Sequence, residues 1–142
     1  MNNANKNANK NTNKTLNSNQ TNAAKIVLFF FELQLATKIF HFQTFSYSNH
    51  KATDKLFEKL ADLTDSFLEK YFGAFGRPTL RLNSSVPVEN MTKTKFLKMV
   101  DVADAYMRGP LDKMISKNTE LQNVRDEILG ELDQVKYLLT LK

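Results

Sequence analysis

The chain has 142 residues, 42% of them hydrophobic, enough for one domain with a core and too few for two. It has no cysteine, which excludes disulfide scaffolds, thiolate zinc sites and cysteine nucleophiles and fits a cytoplasmic or intravirion setting. The formal charge is +5, yet Lys6, Lys10, Lys14 and Lys25 precede the first acid, Glu32, so the basicity belongs to a tail.

Residues 1–22 are mostly Asn, Lys, Thr and Ala, with Leu16 the one large apolar residue after Met1. Such a segment buries too little surface to offset its ordering entropy, so a disordered tail over 1–22 is expected ahead of a domain over 23–142. Its Asn repeats suit a solubilising tail. Lys6, Lys10 and Lys14 also suit an arm that neutralises DNA phosphates without reading sequence, strengthened by multiplicity on an oligomer. The N-terminus does not read as a secretion signal, because Asn and Lys occupy the place of an apolar h-region. The apolar run Ile26–Phe31 is interrupted by Glu32, Gln34 and Lys38, far short of a membrane span.

From Ala23 to about Phe42 the spacing predicts a helix with two apolar strips, Ile26, Phe30, Leu33, Thr37 and Leu28, Phe31, Leu35, Ile39. A chain of this length does not readily enclose a helix on all sides, so the second strip is expected at a two-fold subunit interface. A polar and aromatic loop leads to Ser48 or Asn49 as N-cap. The second helix is then expected from about His50 to Phe72 on a stripe of Leu56, Leu60, Leu63, Phe67 and Tyr71, ended by Gly73. Residues 73–91 carry Gly and Pro breaks and read as a long crossover. A third helix follows over about Thr92–Arg108, with Phe96, Met99, Val100, Ala103 and Met107 inward. Gly109-Pro110 interrupts it. Thr119-Glu120-Leu121-Gln122 reads as a capping box for a last helix with Leu121, Val124, Ile128, Leu132, Val135 and Leu139 inward. No segment alternates like a strand. The expected fold class is all-α: a four-helix bundle with a long crossover between helices two and three.

The only histidines, His41 and His50, flank the first interhelical loop. At 100° per residue from His50, Asp54 falls at about 40°, Asp65 at about 60° and Glu69 at about 100°, whereas the apolar stripe centres near 260°. These donors therefore face away from the subunit's own core. Two imidazoles with carboxylates suit Fe(II), which takes mixed nitrogen and oxygen ligands. His41 meets Asp65 and Glu69 only if a second subunit supplies one half. The same stripe, interleaved with Lys51, Lys55, Lys59 and Lys70, also fits an ordinary solvated helix face. No Glu-x-x-His motif supports a di-iron site inside one bundle.

The stretch His41-Phe-Gln-Thr-Phe-Ser-Tyr-Ser-Asn-His50-Lys-Ala-Thr-Asp54, continuing to Asp65-Ser-Phe-Leu-Glu69, resembles the Dps family, the ferritin-like DNA-binding proteins from starved cells. It is also similar to a smaller Dps-like family of phages and large DNA viruses, which shares the Arg-Asp-Glu-Ile-Leu-Gly-Glu-Leu-Asp-Gln element seen here at 125–134. Three departures stand out: Phe42 occupies a position commonly Trp in Dps, the loop between the histidines is shorter than usual, and the short extra helix that Dps places in the crossover has no clear counterpart in residues 73–91, which bears on the dodecameric shell more than on the metal site. The resemblance implies a ferritin-like bundle and an intersubunit ferroxidase site. His41 and His50 of one subunit and Asp65 and Glu69 of its partner would carry catalysis, with Asp54 an additional metal ligand. It further implies Fe(II) as the metal, oxidation by peroxide or oxygen, ferric mineral held in a homo-oligomer up to a dodecameric shell, and DNA contact through Lys6, Lys10 and Lys14. Glu58 and Asp62 share the face and could seed mineral. The rival expectation is a non-catalytic nucleic-acid-binding or viral structural protein that uses the basic tail and the bundle as a scaffold.

Overall fold

A computed structural model describes residues 3–81 and 83–142, with side chains described from Ser18 onward. The regular elements are helices: α1 (Asn3–Gln43), α2 (Tyr47–Phe75), α3 (Lys93–Arg108), the short α4 (Pro110–Met114) and α5 (Thr119–Leu138). Among the described residues no strand occurs, as expected from the absence of period-two alternation. No helix among them is long and apolar enough to cross a membrane.

Several boundaries differ from expectation. Helix α1 is already helical over residues 18–22, ahead of the Ala23 at which the apolar period begins. There a polar turn extends a helix that tertiary packing has already nucleated. For residues 1–17 the expectation of disorder, with Lys6, Lys10 and Lys14, falls outside the described side chains. Helix α2 starts at Tyr47, not His50. Its N-cap is Ser46, whose hydroxyl accepts the Asn49 N–H at 3.3 Å. At the other end the helix runs past Gly73, and Gly76 stops it at φ +98°, a left-handed conformation that a residue with a Cβ adopts only under strain. Helix α5 is capped by Asn118, whose side chain accepts the Leu121 N–H at 3.0 Å, so Thr119 is the first helical residue and not the cap. Helix α3 begins as expected after Thr92, which accepts the Lys95 N–H at 3.2 Å. Pro110 then opens α4 at a position that needs no backbone donor.

Helix α1 packs against α2 and α3, and α5 packs against the same two helices. The core between them holds Ile26, Phe30, Leu33 and Phe40 of α1, Leu56, Leu60, Phe67 and Tyr71 of α2, and Phe96, Val100 and Met107 of α3. From α5 come Leu121, Ile128, Leu132 and Val135. Each such side chain contributes about 1.5–3 kcal/mol through burial. Phe30 meets Phe67 edge-on at 5.3 Å, and Phe40 stacks on Phe96 at 4.9 Å. Burial raises the Tyr71 and Tyr106 hydroxyls above their ordinary range, and for Tyr106 the proximity of Tyr71 adds to the effect. The second strip of α1 stays outside this core: Phe31 and Leu35 are exposed, and Leu28 and Ile39 half-buried.

Candidate metal centre

The end of α1 and the start of α2 are joined by three non-helical residues, 44–46, and this tight elbow brings the two histidines together. Phe40, stacked on Phe96, fixes the last turn of α1. Gln43 clamps the elbow to the incoming chain of α3, donating to Asn90 Oδ1 at 2.8 Å and accepting the Met91 N–H at 2.6 Å. The His41 and His50 rings then stack with centroids 3.9 Å apart.

Their hydrogen bonds are reciprocal. His41 Nδ1 donates to the His50 carbonyl at 3.0 Å, and His50 Nδ1 donates to the His41 carbonyl at 3.1 Å. A carbonyl only accepts, so each Nδ1 carries its proton and each Nε2 keeps the lone pair in the neutral ring. This is the arrangement by which a backbone carbonyl prepares an imidazole as an Nε2 ligand. Thr53 braces it by donating to the Asn49 carbonyl at 2.8 Å and the His50 carbonyl at 3.3 Å. His50 thus lies past the first turn of α2, not within it as expected. Its N–H is already used by the Ser46 carbonyl at 2.9 Å, so the carbonyl contact, more than a helix dipole, sets its tautomer.

Asp54 lies one turn after His50, and its Oδ1 is 3.7 Å from His41 Nε2. That distance exceeds a hydrogen bond but suits a shared cation. An ion roughly 2.1 Å from each donor spans separations of roughly 3.0 to 4.2 Å, from right-angled to linear. His41 is buried, His50 and Asp54 are half-buried, and Asp65 and Glu69 are exposed. At 1.5 Å per residue, Asp65 lies about 16 Å from Asp54 along α2, and Glu69 about 28 Å from His50. One chain therefore joins His41, His50 and Asp54 and leaves Asp65 and Glu69 apart. Among the described residues no group of three or more metal-ligating side chains closes within one chain. Glu58 and Asp62 are exposed on the same helix.

Sequence reasoning passed over Lys38. Its ammonium lies 3.4 Å from Asp54 Oδ1, 4.7 Å from the centre of the Phe57 ring and 5.3 Å from that of Phe42. The signal was present as spacing: Lys38 precedes His41 by three residues and Phe42 by four, which puts all three on one helical face. Beside it, Phe42, Phe45 and Tyr47 stand exposed at 71%, 106% and 77%.

Residues 41–139 match a family of unknown function, DUF5856, so the match opens on His41 and takes in every donor named above. The chain belongs to DUF5856. This DUF5856 chain is also 38% identical over 106 residues to the "Uncharacterized 14.6 kDa protein in mobD-ri intergenic region" of Enterobacteria phage T4, covering 72% of the chain and 75% of the phage protein. It thus has a viral relative of similar extent. No solved structure matches it.

Proposed function

We propose that this chain is a Dps-like ferroxidase whose Fe(II) site is built between two subunits of a ferritin-like bundle. The observation that carries the reading is the elbow: two imidazoles with Nδ1 committed to backbone carbonyls, beside a carboxylate 3.7 Å from His41 Nε2. The packing of both α1 and α5 against α2 and α3 supports a crossover from α2 to a diagonal α3. The connection over residues 76–92 is long enough for that path.

The spacing along α2 supports the two-fold site. His50 and Glu69 are centred on the same point of the helix as Asp54 and Asp65, between Lys59 and Leu60. Two copies of α2 running antiparallel about that point set His50 opposite the partner's Glu69 and Asp54 opposite the partner's Asp65 simultaneously, and they do so twice per dimer. Ala61, at about 20° on the ligand stripe, is small enough to let the helices approach. The exposed Phe31 and Leu35 of α1 and the aromatics of the elbow supply apolar surface for the contact.

In such a site the imidazoles and carboxylates bind Fe(II) and stabilise the Fe(III) produced, since added carboxylate charge favours the higher oxidation state. Each peroxide accepts two electrons, one from each of two Fe(II) ions, and with two protons leaves two waters. Metal affinity falls as the imidazoles protonate, because the proton occupies the ligating lone pair.

Complementation tests the reading. The double variants His41→Ala/His50→Ala and Asp65→Asn/Glu69→Gln are each expected to lose rapid oxidation in an anaerobic Fe(II) titration followed by peroxide. A mixed dimer of the two restores one intact site of two, hence about half the wild-type stoichiometry. A mixture as inactive as its parents sinks the intersubunit site.

A further inference from the structure

Among the described residues, Lys38 is the one cation in contact with Asp54, and the proposed iron site makes no use of it. Its ammonium and His41 Nε2 approach the same atom, Asp54 Oδ1, at 3.4 and 3.7 Å. The Phe57 and Phe42 rings flank it within 4.7 and 5.3 Å, both inside cation–π range. Its side chain is 29% exposed, so the charge is only partly screened. We propose that Lys38 is a built-in competitor for the cation site: its ammonium neutralises Asp54 when no metal is bound and sets the threshold a divalent ion must overcome to bind there. The proposal rests on the Dps-like reading and adds to it the residue that tunes metal affinity.

Two consequences follow from the charges. A metal on Asp54 Oδ1 stands within a few ångströms of a second positive charge, which lowers its affinity unless the ammonium withdraws. Withdrawal is inexpensive here, because a lysine stem is long and flexible and the aromatic rings still hold the ammonium after it leaves the carboxylate. Weakly held or monovalent cations, which gain least from the two imidazoles, fail to displace it. In the absence of metal the same ammonium offsets the repulsion between Asp54 and the partner's Asp65 across the proposed two-fold contact.

The test is anaerobic calorimetric titration of the full chain with Co(II), comparing wild type with Lys38→Met, which keeps the stem and removes the charge, and with Lys38→Arg, which keeps the charge. Lys38→Gln serves as a second neutral variant, and circular dichroism confirms folding of each. The expected result is Co(II) binding about tenfold tighter or more in both neutral variants, with Lys38→Arg close to wild type and unchanged stoichiometry throughout. Equal affinities in wild type and neutral variants overturn the role of Lys38 while leaving the metal site standing. No Co(II) binding by any of the proteins overturns the metal site, and the role of Lys38 with it.

Discussion

The two ends of helix α2 carry the same kinds of donor in opposite states. At the elbow, His41 is buried, His50 and Asp54 are half-buried, and all three have defined partners on α1 and α2. Toward the far end, Asp65 and Glu69 project into open surface. A pre-organised half and a presented half are what an isologous contact needs. In the proposed two-fold contact the rigid end would fix geometry before docking, and the exposed end would be free to reach across. Nothing in helix stability requires the difference, since both ends lie on one continuous helix.

Substitutions should separate the two ends. The largest effect is expected from Asp65→Asn/Glu69→Gln, which should cut Fe(II) oxidation about a hundredfold, at the top of the 10- to 100-fold losses typical of supporting residues. Thermal unfolding should move little, because exposed substitutions stay within about 0.5 kcal/mol. Loss of stability together with activity would break the comparison. His41→Ala should cost both, destabilising by about 2 kcal/mol, because the His50 carbonyl loses a donor and a buried ring leaves a void. Chemical denaturation measures it. Ser46→Ala, at the N-cap that holds the elbow, should cost about 1 kcal/mol and weaken metal binding only as far as the turn loosens. Phe31→Glu/Leu35→Glu should leave the monomer's stability within about 0.5 kcal/mol yet shift sedimentation toward monomer; an unchanged oligomer would remove α1 from the interface.

The smallest effect lies in the core, on the opposite face from the donors. Tyr71 and Tyr106 have hydroxyl pKa values raised by burial above the ordinary 10.0, so the folded state favours the neutral phenol. Their contribution is complete below pH 10 and is lost as pH rises through the raised values, because the unfolded chain ionises first. The melting temperature should decline above pH 10, and Tyr71→Phe/Tyr106→Phe should flatten the decline.

Periodicity made much of the fold legible. The stripe from Leu56 to Tyr71, the inward set of α3 and the whole apolar series of α5 are buried, apart from the half-buried Leu63 and Met99, because a 3.6-residue period reports directly on which face is dry. The helix ends were less legible. Ser46, Ser48 and Asn49 are all good caps by type, and the choice fell to Ser46 because the elbow must bring His50 back over His41. Gly73 and Gly76 are both plausible stops by composition, and only the second adopts the left-handed turn.

The sequence alone determined that the chain is helical, which faces are apolar, and that His50, Asp54, Asp65 and Glu69 share a stripe turned away from the core. Those are consequences of spacing along a single helix, and spacing is local. Tertiary structure decided the reciprocal bonds that commit both Nδ1 atoms to backbone carbonyls, the 3.7 Å separation of His41 from Asp54 and the seat of Lys38 between carboxylate and aromatic rings. Each of these depends on how closely α1 and α2 meet at the elbow, a distance set by packing Phe40 on Phe96 and by the clamp through Gln43, and no pattern within either helix encodes it.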